Sequence, residues 1–203
     1  MVSSTSEYPH RVRQWRDYVA REAWKINASR IAEVGVFRGD TTRRFCQLDC
    51  VKEVYCIDPW SRTANDIQYK GVSHFKKFEG EMVTSTQEEL DNMYFNVVTT
   101  SSKKARILRM PSSVAARQFD DGYFDFVFLD AIHFYDYVRE DIDLWLPKIR
   151  AGGMFAGDDY GLVKFNEIDG GVKRAVDETF GDRVCFPMQL KDRVKEKVWC
   201  VQL

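Results

Sequence analysis

The chain has 203 residues, with 30 Lys and Arg against 31 Asp and Glu and a formal net charge of -1. That length makes one domain with a full core, and the balanced charge excludes a general electrostatic binder of nucleic acid. Apolar residues at 44% and charged residues at 30% exclude a disordered chain. No apolar run reaches the about 18 residues of a membrane span. The polar stretch from Met1 to Arg16 lacks the apolar centre of a secretory signal. The cysteines, Cys46, Cys50, Cys56, Cys185 and Cys200, have no C-x-x-C spacing and no nearby His to complete a zinc site. They read as reduced thiols in a cytoplasmic protein.

Residues 10–26 place Val12, Trp15, Val19 and Ala23 at helical spacing and predict an N-terminal helix, whose apolar face, if exposed, favours a homodimer. Residues 30–36, a short apolar run ending at Gly35, predict a buried strand, and residues 40–48 a helix capped by Asp40 or Thr41. Residues 53–58, 105–110 and 124–130 predict the next three strands. Residues 135–149 predict an amphipathic helix with Tyr137, Ile142, Trp145 and Ile149 towards one side. A Gly-Gly turn leads into a fifth strand at 152–159, and residues 170–180 form a further helix. The runs RVCFPMQL and KVWCVQL, joined by KDRVKE, predict a closing hairpin. Alternating strands and helices imply an α/β fold with a parallel sheet covered on both faces, and the hairpin adds an antiparallel strand near one edge. The polar segment 61–86 breaks the rhythm, carries His74, Tyr69, Phe75 and Phe78, and is a candidate lid.

Chemistry concentrates at strand ends. After the first strand comes Glu33-Val34-Gly35-Val36-Phe37-Arg38-Gly39-Asp40-Thr41. Its G-x-x-x-G spacing departs from the G-x-G-x-x-G fingerprint that cradles a pyrophosphate. Glu33 repels phosphate and suits an ammonium group. Asp58, at the end of the second strand, offers a carboxylate to the two hydroxyls of a ribose. An ammonium acceptor, a tight glycine turn and a diol acceptor on neighbouring strands suit S-adenosylmethionine.

A second constellation ends strands four and five. Asp130 opens Asp130-Ala131-Ile132-His133, and Asp158-Asp159-Tyr160 follows the fifth strand. Three clustered carboxylates repel one another unless a cation or protons intervene. Oxygen ligands favour a hard ion such as Mg2+, which makes Asp130, Asp158 and Asp159 the candidate metal ligands. His133, in reach of the same space, is a candidate general base for a substrate hydroxyl.

These motifs, from EVGVFRGDTT through CIDPW and FDFVFLDAIHFYDYVREDIDLWLPKIRAGGMFAGDDY to GGVKRAVDETF, resemble the class I S-adenosylmethionine-dependent methyltransferases over about residues 28–203. Within that class they resemble the branch holding magnesium-dependent sugar O-methyltransferases of macrolide pathways. The resemblance implies a Rossmann-like, doubly wound seven-stranded sheet with the last strand antiparallel. It implies that Glu33, Gly35 and Gly39 hold the methionine part of the cofactor, with Asp130 bordering it. It further implies that Asp58 holds the ribose and that Ser112 or Ser113 lies near the adenine. Asp130, Asp158 and Asp159 match the metal-binding acids, and His133 a polar position beside them. Two features depart from the branch: Met110-Pro111-Ser112-Ser113 stands where a G-D-S pattern is usual, and the N-terminal oligomerisation elements are mostly missing.

The leading expectation is metal-assisted O-methylation of a small hydroxylated acceptor such as a sugar, with His133 or Asp130 taking the proton and 61–86 closing over the donor. A catechol- or phenol-type acceptor is the alternative, although that group uses Asn where this chain has Asp159. A cofactor-binding module without catalysis is the third reading. A nucleic-acid acceptor is disfavoured, because the basic pairs at 43–44, 76–77 and 103–104 are small and no N/D-P-P-Y/F motif follows the fourth strand.

Overall fold

The computed structural model describes residues 8–12, 14–61, 86–161, 171–187 and 198–203 in full, together with four two-residue strands at 68–69, 72–73, 164–165 and 168–169. In chain order the main elements are α1 (Trp15–Lys25), β1 (Arg30–Val34), α2 (Asp40–Cys46), β2 (Glu53–Ile57), α3 (Gln87–Thr100), β3 (Ala105–Leu108), α4 (Ser112–Ala116), β4 (Phe124–Leu129), α5 (Tyr135–Trp145), β5 (Ile149–Gly157), α6 (Gly171–Phe180) and β6 (Trp199–Gln202). The strands form one sheet in the order β6-β5-β4-β1-β2-β3. The first five run parallel and β6 pairs antiparallel with β5. The short strands pair as two separate ribbons, 68–69 with 72–73 and 164–165 with 168–169.

Helices cover both faces. Alternate residues of each strand point to opposite sides, so Ile31, Phe126 and Phe128 join Val19, Ala23, Phe45, Leu90 and Val97 beneath α1, α2 and α3. Val34, Val127 and Phe155 join Ala115, Ile142, Trp145 and Val176 beneath α4, α5 and α6. The central strand β4 is buried along its whole length. Its Asp125 accepts hydrogen bonds from the Ser29 and Arg30 N–H groups and from Arg150 Nε at 2.6 Å, which closes the amino edge of the sheet. The apolar face of α1 is spent on the sheet of its own chain, where Val19, Ala20 and Ala23 are buried.

The sheet has six strands among the described residues, not the seven expected. Among the described residues of the closing hairpin, only its second half forms a strand. Cys185 and Cys200 exchange both backbone hydrogen bonds, but the next hydrogen-bonding position, two residues on, is Pro187, which has no N–H to continue the ladder. Residues 188–197, the rest of that hairpin, lie outside the described residues, as does most of the candidate lid.

Two other details differ from expectation. The Gly152-Gly153 pair lies within β5 rather than before it. The register against β4 shifts between Phe124 and Phe126, and Gly152 takes a φ of +75°, so the glycines form a bulge. A Cβ on Gly153 would come 2.7 Å from the Asp125 carbonyl oxygen, hence the missing side chain. Helix α3 was not expected. The Thr86 hydroxyl accepts from Glu89 N at 3.1 Å and Thr86 N donates to Glu89 Oε2 at 2.7 Å. This capping box is legible as T-x-x-E before an apolar run. No helix of the described residues is long and apolar enough to cross a membrane.

Candidate active site

The order of the sheet reverses between β1 and β4, and the crevice at such a point, beyond the carboxyl ends of the strands, is where open α/β sheets bind ligands. Glu33, Gly35, Asp58, Asp130, Asp158 and Asp159 all lie at this edge. The backbone holds it tightly: Gly35 N donates to Ile57 O, Asp130 N to Val34 O at 2.8 Å and Asp158 N to Leu129 O at 3.1 Å. Gly35 has a φ of +88°, and a Cβ there would stand 1.9 Å from the Asp130 carbonyl oxygen. The glycine is needed for the contact between the β1 turn and the residue that opens the acidic cluster. Gly39, also left-handed, precedes α2 as its N-cap and faces Val97 of α3.

Glu33 is fully enclosed at the end of β1, and the Thr42 hydroxyl of α2 donates to its Oε2 at 2.5 Å. Burial pushes its carboxyl up to about 8, against the Thr42 hydrogen bond and the Arg16 charge, which pull it down. A buried acid of this kind gains by meeting a cation. Asp58 is engaged by the chain itself. Its Oδ2 accepts from Val36 N and Phe37 N at 3.0 Å, and its Oδ1 from Trp60 N at 2.8 Å. Trp60 Nε1 returns a bond to Phe37 O at 2.8 Å, and both Phe37 and Trp60 sit at positive φ. Asp58 therefore clamps the glycine loop to the β2 turn. A carboxylate has about four acceptor positions, so these three bonds leave room for a ligand hydroxyl.

Asp130, His133 and Asp159 converge. Each offers a ligand atom, and those atoms lie within 4.8 Å of one another. His133 Nε2 stands 2.6 Å from Asp159 Oδ2. The loop carrying His133 is pinned where Gly171 N of α6 donates to the His133 carbonyl at 2.8 Å, and Gly171 is so close to the Tyr135 backbone that no Cβ fits. Asp159 has a φ of +60°, unusual for a side-chain-bearing residue. This left-handed turn separates the two neighbouring acids. Asp159 turns to His133, whereas Asp158 is buried and borders a small cavity that Asp130 and His133 also line, with Leu129, Val172 and Trp199.

The electrostatics follow from burial and mutual charge. Burial and then the Asp159 charge raise Asp130 to about 6. Burial pulls His133 down, but the bond to Asp159 and the charges of Asp159, Asp130 and Asp158 outweigh it and raise the imidazole. For Asp159, burial raises the carboxyl and the His133 partner more than reverses the shift.

The serines after β3 are placed differently. Ser112 Oγ donates to Asp141 Oδ1 of α5 at 2.5 Å and accepts from Trp145 Nε1 at 2.8 Å, so its hydroxyl ties α4 to α5. Ser113 is half-buried beside it. The structure thus brings together Asp130, His133 and Asp159, sets Asp158 beside them on a shared cavity wall, sets Glu33 and Asp58 at the adjoining strand ends, and turns the Ser112 hydroxyl away to Asp141. Thr42, Arg16 and Asp141 escaped the sequence reading. The signal for Asp141 was present, as an acid one helical turn before Trp145 on an otherwise buried face.

This geometry belongs to the α/β proteins that bind a nucleoside cofactor at the carboxyl edge of the sheet. A methyltransferase-domain family model matches residues 32–160, well over half of the chain. The chain belongs to that family and is a class I S-adenosylmethionine-dependent methyltransferase. No curated protein matches it significantly. Solved structures share the fold at low identity. An O-methyltransferase from Bacillus cereus in complex with S-adenosylhomocysteine is 15% identical with a TM-score of 0.58, covering 97% of this chain and 84% of that one. The O-methyltransferase TomG from Streptomyces achromogenes, involved in tomaymycin synthesis and in complex with S-adenosylmethionine, is 14% identical with a TM-score of 0.59, covering 92% and 78%. An rRNA methylase from Streptococcus thermophilus is 12% identical with a TM-score of 0.55, covering 92% of each chain. The fold is common to different acceptors, so the acceptor must be argued from the site.

Proposed function

We propose that this methyltransferase methylates a hydroxyl oxygen of a small acceptor such as a sugar, assisted by a divalent cation. The observation that carries the reading is the convergence of Asp130, His133 and Asp159 at the carboxyl edge. Two carboxylates in mutual reach, Asp130 and Asp159, with Asp158 next in the chain, fit a hard divalent ion such as Mg2+ and leave the taking of a proton to the His133 imidazole. Such an ion, when bound, lowers the pKa of a coordinated hydroxyl.

The chain's own residues supply the rest. Glu33 takes the ammonium group of the cofactor, the Gly35 turn lets the methionine end approach the backbone, and Asp58 offers its remaining acceptor position to the ribose. Gly39 shapes the loop between them. Ser112 positions α4, which with Ser113 borders the adenine side. The acceptor oxygen forms a bond to the methyl carbon as the carbon–sulfur bond breaks, and the electron pair of that bond stays on sulfur. The hydroxyl proton passes to the His133 imidazole, whose charge is offset by Asp159 Oδ2 at 2.6 Å. Asp130 lies beside the transfer path and borders both ligands. Alignment supplies most of the rate, because the sulfonium is already a good leaving group.

Asp159→Ala tests this reading. Mg2+-dependent turnover is lost while S-adenosylhomocysteine affinity, read by calorimetry, is retained. Turnover that survives the substitution removes the metal reading. The close His133–Asp159 contact favours one second reading, a metal-free base pair, for which turnover is indifferent to a chelator. A panel of vicinal sugar diols and catechols then separates the acceptor classes.

A further inference from the structure

We propose that Arg16, in the first turn of α1, is the cationic partner of the carboxylate on the cofactor's methionine end. The inference deepens the cofactor reading and rests on it. Arg16 is placed by packing. Its guanidinium lies 4.2 Å over the Trp15 ring. Trp15 in turn packs against Phe128 with ring centroids 6.1 Å apart. Phe128 is the residue of β4 in register with Glu33 of β1. Arg16 therefore stands over the part of the sheet from which Glu33 and Asp130 emerge. Its charge acts on both of them, countering the effect of burial on each.

The neighbouring arginines are used within the chain. Arg44 donates to Asp17 Oδ1 at 2.8 Å, Arg43 pairs with Asp40, and Arg21 donates to the Pro187 carbonyl. Arg16 Nε is buried and has no hydrogen-bond partner, and among the described residues Arg16 makes no ion pair. A buried guanidinium N–H without an acceptor is costly, and such groups normally find one. S-adenosylmethionine carries a sulfonium, an ammonium and one carboxylate on a neutral nucleoside. Only the carboxylate attracts a guanidinium, and Arg geometry matches a carboxylate through two parallel N–H groups. Glu33 and Arg16 then read the two ends of the amino-acid zwitterion, one charge each.

The test compares two ligands by calorimetry: S-adenosylhomocysteine, which has the amino-acid end, and 5′-methylthioadenosine, which shares the adenosine and thioether but lacks it. In Arg16→Ala, S-adenosylhomocysteine weakens by about 10- to 100-fold, the span of one charge-assisted hydrogen bond to a carboxylate, and methylthioadenosine is unchanged. Arg16→Lys recovers part of the loss. Unchanged S-adenosylhomocysteine affinity overturns the proposal, and so does an equal loss of both ligands, which marks a structural role. If Arg16→Ala does not fold, Arg16→Gln is read with the same ligand pair. Failure of both ligands to bind the unaltered protein removes the cofactor reading first, and the proposal with it.

Discussion

Replacing Asp141 by Asn isolates the energetic cost of one buried acid. Asp141 is enclosed between α4 and α5 and receives a single strong donor, the Ser112 hydroxyl at 2.5 Å. Burial pushes its carboxyl up to about 7, the Ser112 bond pulls it partly back and the Glu140 charge pushes it further. The folded value lies above the ordinary carboxylate value of 3.8. Below that ordinary value both folded and unfolded chains hold the proton, and the favourable contribution is complete. Between it and about 7 the unfolded chain releases the proton while the folded chain keeps it, so stability falls as pH rises. Above the folded value the loss is constant, at about 4 kcal/mol for a rise of this size. Asparagine keeps the shape and an oxygen for Ser112 but never ionises. Its amide N–H2 lacks a ready acceptor and costs about 1–3 kcal/mol at every pH. The stability difference between the Asp141→Asn variant and the parent protein therefore moves by about 4 kcal/mol in favour of the variant between about pH 4 and pH 8, whatever the amide costs. Urea unfolding of both proteins across that range reads it, and the titrating groups that Asp141 does not touch cancel in the difference, leaving Glu140 as the one small coupled contribution. Two parallel stability curves would refute the reasoning, because Asp141 would then titrate alike in both states.

Gly35→Ala puts a Cβ 1.9 Å from the Asp130 carbonyl oxygen, at a φ of +88°. Because the atoms it would meet, in Asp130 and Ala131, are backbone, the β1 turn must move. Thermal unfolding should show a loss of about 3 kcal/mol or more, along with loss of S-adenosylhomocysteine binding, whereas parental melting and affinity would show that the close approach is not needed. Glu33 supplies a pH signature. With its carboxyl near 8, flanked by Thr42, Asp130, Arg16 and Asp58, the residue is mostly protonated at pH 7. Pairing with an ammonium group requires the ionised form, so binding at pH 7 releases about one proton and binding at pH 9 almost none. Calorimetry in phosphate and in Tris reads the difference, and a buffer-independent enthalpy at pH 7 would contradict the assignment of Glu33 to the ammonium.

Much of the architecture was local enough to be read directly. Strands and helices alternate visibly, because burial of one face fixes a period of about 2 or 3.6 residues. The glycine turn, the Asp130-Ala131-Ile132-His133 run and the Asp158-Asp159 pair fall at strand ends, where the parallel topology itself gathers them on one edge. Sequence therefore placed these residues at strand ends and paired the first strand with the second and the fourth with the fifth, while the assembled sheet set β4 beside β1. Sequence did not determine where the carboxylates point. Asp158 and Asp159 are neighbours in the chain, yet a positive φ at the second sends one inward and the other to His133. No period governs a backbone that has left its strand. The same holds for Asp58, whose oxygens are engaged by the Val36, Phe37 and Trp60 amides, and for Ser112, whose hydroxyl is turned to Asp141. Each of those contacts depends on how distant segments pack, and so does the place of Arg16 over β1 and β4. The residue types are written in the chain; the distances that give them chemistry exist only once the sheet has assembled.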